Sequence, residues 1–110
     1  MAEKFEVLWS RSAVSDLDDI LEYLAEQASI DRALDLYEKV RRHVAELSTF
    51  PRRCRYVPEL KAIGLTEFRE LILPPYRIFF RLVEKRVILL GVLDSRRDLE
   101  EILVQRAIES

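Results

Sequence analysis

Five arginines in the last third of this chain, Arg69, Arg77, Arg81, Arg96 and Arg97, are the residues whose type and spacing could do chemistry. A guanidinium is planar, permanently charged and able to make two parallel bonds to a phosphate. The chemistry such residues support is recognition of an anion and stabilisation of developing negative charge. They make poor general bases, because arginine holds its proton to a pKa above about 12. Phe79 lies between Arg77 and Arg81 at alternate positions, the pattern of a basic surface with an aromatic for stacking. The other reactive side chains are few. The single His43 falls within a helix pattern and reads as a surface residue. The single Cys54 sits between Arg53 and Arg55, which would lower its pKa in principle, and reads as a plain surface cysteine. One Cys and one His cannot build a Cys/His zinc site or an internal disulfide. No metal or cofactor is expected.

The elements that must position these arginines follow from periodicity. Residues 5–9 (FEVLW) form a short strand candidate. Trp9 there reads as core or edge packing. Ala13, Leu17, Ile20, Leu21, Leu24 and Ala28 recur at helical spacing behind Ser10 or Ser12 as N-cap. A second helix restarts at Ser29 or Asp31, buries Ala33, Leu36, Tyr37, Val40, Val44 and Leu47, and stops before Pro51. Residues 52–66 are irregular, broken by Pro58 and Gly64, with room for a short helical turn. Three strands follow, 67–73, 76–83 and 87–93, and read as an antiparallel meander. Ser95 and Asp98 have capping-box spacing ahead of a helix over 98–108. The order β-α-α-β-β-β-α gives an α+β class, with a helical hairpin on one face of a small antiparallel sheet. The first strand joins at an edge, and the other sheet face is left for solvent or a partner. At 110 residues and 49% hydrophobic composition, one domain over 1–110 is expected, without disorder. No apolar run approaches a membrane span and no signal-peptide pattern is present, so a cytoplasmic location is expected.

The net charge of −2 conceals a partition. Residues 1–40 carry 4 bases and 10 acids, residues 41–97 carry 13 bases and 6 acids, and residues 98–110 carry 1 base and 4 acids. A basic middle between acidic ends can mark an anionic partner. Internal pairing of acidic helices with a basic sheet would give the same pattern.

The hairpin register decides which arginines share a face. Tyr76, Ile78, Phe80 and Leu82 are the all-apolar alternate set and should face the helices. Arg77, Phe79, Arg81 and Val83 then point the other way. Two-residue hairpin loops usually require positive φ, which proline cannot adopt. A three-residue loop, Leu73-Pro74-Pro75, is therefore expected. It pairs Ile72 with Tyr76, Leu71 with Arg77 and Arg69 with Phe79, so Arg69 and Arg77 share a face. Phe68 and Ile72 join the apolar set. So does Glu70, which would need a base to pair with. A four-residue loop would separate the two arginines.

In its ordered motifs the chain resembles the RelE/ParE superfamily of toxins from type II toxin–antitoxin systems. The motifs are Trp9-Ser10 with Ala13, Leu17, Ile20 and Tyr23, then Leu47 and Pro51. Phe68-Arg69-Glu70-Leu71, Tyr76-Arg77-Ile78-Phe79-Phe80-Arg81 and Val92-Leu93-Asp94-Ser95-Arg96-Arg97-Asp98-Leu99 complete the set. The resemblance implies a growth-inhibiting toxin neutralised by a cognate antitoxin in a hetero-oligomer, with no cofactor and no membrane. It implies either of two targets. RelE-like members cleave mRNA in the ribosomal A site, which would make Arg69, Arg77 and Arg97 (or Arg96) catalytic. ParE-like members poison DNA gyrase and need no catalytic group, which leaves Arg77, Phe79, Arg81, Arg96 and Arg97 as binding residues. This chain has Leu71 where RelE-like sites carry a second basic residue. Its last helix has neither Tyr nor His. The stretch 93–99 looks ParE-type, so gyrase is the expected target. A member that only binds its antitoxin is the third reading.

Overall fold

The computed structural model describes residues 3–110. Strand β1 (Glu6–Trp9) leads into helix α1 (Arg11–Gln27), and α2 (Ile30–Glu46) returns antiparallel to it. Ser10 caps α1 by accepting from the Ala13 amide, and Ser29 caps α2 by accepting from Arg32. Each hydroxyl satisfies one of the amides that a helix start leaves without a partner. After a 3-10 turn at Pro51–Arg53 come β2 (Arg55–Tyr56), the one-turn helix α3 (Pro58–Lys61), and strands β3 (Phe68–Leu73), β4 (Tyr76–Val83) and β5 (Arg86–Asp94). Helix α4 (Glu100–Glu109) follows. The sheet order is β1-β5-β4-β3-β2, antiparallel except for the parallel pair β1–β5. The expected edge position of the first strand is therefore realised. Strand β2, within the stretch read as irregular, adds a fifth member. Two residues carry no usable periodicity.

The hairpin register differs from expectation. Leu73 pairs with Tyr76, Ile72 with Arg77, Glu70 with Phe79 and Arg69 with Phe80. The loop is Pro74-Pro75 alone. Its peptide bond is cis, with Pro75 at the third turn position, a geometry that closes a tight turn without positive φ. One residue fewer in the loop moves every β3 side chain to the opposite face. Arg69 and Arg77 therefore lie on opposite faces. Phe68 and Glu70 share the Arg77 side, and Ile72 is exposed.

The second difference concerns the far face, which is covered. Tyr76, Ile78 and Phe80, with Leu82 partly buried beside them, pack on Leu17, Leu36, Val40 and Val44 of the helical hairpin, as expected, and Leu89 of β5 joins them. On the other side Phe68, Phe79, Leu90 and Leu93 pack under Leu60 of α3 and Leu103 of α4, with Val57 and Leu99. A helix after a sheet must bury its apolar stripe somewhere, and the free sheet face is the nearest apolar surface. The α4 N-terminus is also simpler than expected: Leu99 occupies the cap position and no side chain caps it.

A β-bulge at Leu90 lets two successive β5 residues serve the α4 side. Phe80 pairs with Leu89 but Phe79 with Gly91. The bulge lies just beyond the end of β1, where β5 loses its strand neighbour. Side chains take over there. Asp16 Oδ2 accepts from the Val92 amide at 3.0 Å, and Arg106 Nη1 donates to the Leu90 carbonyl at 2.8 Å. Asp16 and Arg106 also join through two bonds of 2.9 Å, tying α1 to α4. Glycine is required at 91. A Cβ would lie 2.5 Å from Phe79 Cε1 and 2.7 Å from Arg106 Nη1. Among the described residues no helix is long and apolar enough to cross a membrane.

Candidate functional site

The candidate arginines do not converge. Arg77 is nearly buried and fully engaged. Its Nη1 and Nη2 donate to the two Glu59 oxygens at 2.7 and 2.6 Å, and its Nε donates to Glu70 Oε1 at 2.7 Å. Glu70 has no exposed side-chain surface, and its other oxygen accepts from Arg55 Nε at 2.6 Å. The result is a chain Arg55–Glu70–Arg77–Glu59 spanning β2, β3, β4 and α3. The hydrogen bonds from Arg77 pull the Glu59 carboxyl below its ordinary range, and Glu59 in turn raises Arg77 further. Phe79 is fully buried in the core beneath α4, with no ring face open to a base. Arg81 is half-buried, 3.3 Å from Glu67 and within reach of the Ser110 carbonyl.

Arg69 lies on the other face, at the β2 edge. It donates to the carbonyl of Cys54 at 2.7 Å and to the Tyr56 hydroxyl at 3.1 Å, with its guanidinium 4.2 Å above the Tyr56 ring. Burial pushes the Cys54 thiol up, and this outweighs the lowering effect of Arg69. His43 uses Nδ1 on the Lys39 carbonyl one helical turn back.

Only Arg96 and Arg97 remain together at an accessible place, the turn between β5 and α4. Ser95 anchors this turn, its amide and hydroxyl both donating to the Pro75 carbonyl at 2.7 Å. Arg96 makes a two-pronged bond to Asp94, Nε to Oδ1 at 2.9 Å and Nη2 to Oδ2 at 2.6 Å. Arg97 is exposed and makes no ion pair among the described residues. Both line a cleft of about 470 Å³ between α1 and the ends of β4 and β5, with Tyr23, Tyr76, Asp19 and Asp94. Burial raises the Tyr76 hydroxyl above its ordinary value, so the cleft holds a neutral phenol beside a fixed guanidinium.

The hydrogen bonds from Arg96 hold Asp94 down at about 2, against an ordinary value of about 3.9. A depressed carboxylate favours the folded state above its unfolded pKa. That contribution fades as pH falls from about 4 through 2. A carboxyl-carbon NMR titration should place Asp94 near 2, and Arg96→Ala should return it toward 4. An unshifted value in the parent protein would disprove the clasp.

Sequence reasoning found the arginines but missed their partners. Glu70 was expected to need a base, but on the hairpin-facing side; the observed register puts it on the Arg77 side instead. Glu59 was hidden, because nothing in residues 52–66 announces that α3 folds back over β4.

A family model described as the ParE toxin of the type II toxin–antitoxin system, parDE, matches residues 7–99. No curated protein matches the chain at a significant level. Among solved structures, the chromosomal ParDE TA system from P. aeruginosa is similar with a TM-score of 0.69 at 22% identity, covering 83% of this chain and 96% of that one. The family match runs from the first strand, through both helices and the whole sheet, to the turn that carries Arg96 and Arg97. On that span the chain belongs to the ParE toxin family of type II toxin–antitoxin systems.

Proposed function

We propose that this protein arrests growth by ParE-like inhibition of DNA gyrase and is neutralised by a cognate antitoxin. The observation that carries the reading is the state of Arg77 within a ParE-family fold. Cleavage of RNA would require cations free to bracket one phosphate, together with a group able to move a proton. Arg77 has its charge met by Glu59 and Glu70, and Arg69 points from the opposite sheet face. Poisoning of gyrase by binding requires neither. Arg96 and Arg97, with Tyr23 and Tyr76, are the residues we assign to target contact.

An antitoxin surface is also on offer. Tyr23 on α1 and Ile30, Leu34 and Tyr37 on α2 are large, apolar and exposed. The three on α2 follow helical spacing and form one stripe, the kind of patch that a partner covers.

Supercoiling by purified gyrase is the test. Addition of the protein should inhibit it and trap a cleaved DNA complex, and the antitoxin should relieve both effects. Full supercoiling with no trapped complex at large excess would overturn the reading. New A-site mRNA ends in a ribosome toeprint would replace it with RNA cleavage. Normal growth on induction would point to a member that only binds its antitoxin.

A further inference from the structure

The arginine-rich run at 52–55 takes no part in the function proposed above, yet the fold concentrates cations around it. Arg52 and Arg53 belong to the 3-10 turn opened by Pro51, Arg55 to β2, and Lys61 ends α3. Arg69 reaches the same place from β3, donating to the carbonyls of Arg52 at 3.3 Å and Cys54 at 2.7 Å. These charges are held on aromatic rings. The Arg53 guanidinium lies 4.0 Å from the centre of Phe50, which is 44% exposed. Arg69 and the Lys61 ammonium both approach Tyr56, at 4.2 and 5.5 Å. Side chains already fixed on a ring lose less freedom when they bind.

Few carboxylates answer these cations, and Glu59, which lies in the same segment near Arg55, is taken up by Arg77. Glu70 is buried and shared by Arg55 and Arg77, and Glu3 meets only Arg52, at 3.5 Å. Arg53 and Lys61 meet none among the described residues. The acids of the first forty residues are carried mainly on the helical hairpin instead. The near-neutral molecule therefore presents one positive edge.

We propose that this edge, from Phe50 to Lys61 with Arg69, binds the phosphate backbone of a nucleic acid. The cations come from four separate elements along one rim, which suits a polymer carrying a charge at every step. Such a polymer also releases condensed counterions when it binds, a gain that a short acidic peptide cannot match. The gyrase reading is not assumed, since no gyrase is present in the test.

The experiment measures fluorescence anisotropy of a labelled 20-base-pair DNA duplex, a 20-nucleotide DNA strand, a 20-nucleotide RNA and an oligoglutamate, each with the full chain. About three neutralised phosphates predict a roughly 40-fold loss of duplex affinity between 50 and 200 mM salt. The Arg53→Ala, Lys61→Ala double variant should keep its melting temperature while its salt slope falls by about two. Arg11→Ala, beside the opposite sheet edge, should bind like the parent. The DNA and RNA arms identify the source of the phosphates. Oligoglutamate binding as tight as nucleic acid, a salt slope shallower than about one, or equal binding by parent and double variant would each overturn the proposal.

Discussion

Glu70→Ala should destabilise the protein by about 3–5 kcal/mol, because it leaves a nearly buried guanidinium with half its partners. Glu70 is the hinge of the four-residue chain, taking Arg77 on one oxygen and Arg55 on the other. Without it, Arg77 keeps Glu59 but leaves its Nε without a partner, and Arg55 loses the side-chain bond that reinforces the backbone pairing of β2 with β3. At this size about 1 kcal/mol corresponds to roughly 4 °C, so the melting temperature should fall by roughly 12–20 °C. Glu70→Gln keeps the shape and the acceptor oxygen but not the charge, and should lose about half as much. A melting temperature within about 3 °C of the parent for the alanine variant would show that the network does not hold this side of the fold.

The second large effect should come from Asp16→Ala, at about 3 kcal/mol. This carboxylate takes two bonds from Arg106 and one from the Val92 amide. It therefore does the work of a missing strand neighbour, and its loss strips a backbone donor and a guanidinium together. Arg106 is held in its charged form by Asp16 more firmly than an ordinary arginine, against the opposing effect of burial. A double-mutant cycle with Arg106→Ala should give a coupling above about 1 kcal/mol. Amide exchange at Val92 should accelerate in Asp16→Ala, ahead of the β4–β5 amides. Additive single-variant effects, with Val92 still protected, would refute the strand-substitute role.

Much of the architecture was legible because it rests on local chemistry. Ser10 or Ser12 and Ser29 or Asp31 announced both long helices, and their apolar stripes named most of the faces that pack; Tyr37, read with the α2 stripe, is exposed instead. The alternation of Tyr76, Ile78, Phe80 and Leu82 identified the hairpin-facing side of β4. The register of β3 failed on loop length. Whether the loop holds two residues or three is not written in a one-dimensional pattern, yet it decides the face of every residue from Phe68 to Leu73. The covered far face failed for a related reason. Arg77, Phe79 and Arg81 look like an open basic surface when partners are unknown, and only the return of α3 and α4 supplies Glu59 and the apolar lid. Arg96 and Arg97 stay together at an accessible turn because they are adjacent in sequence. The ring-held cations near Phe50 and Tyr56 were legible as residues but not as a surface.

The parallel pairing of β1 with β5 carries a consequence for how the molecule is made. Val7 pairs with Val87, and the chain between them contains both long helices and the middle of the sheet. Neighbours so distant along the chain close late, because the intervening loop entropy must be overcome first. During synthesis the helical hairpin emerges long before the strands that will cover its apolar stripe. The growing polypeptide therefore passes through a stage with sticky helices and no sheet. A sheet assembled this way cannot close until β5 has left the ribosome.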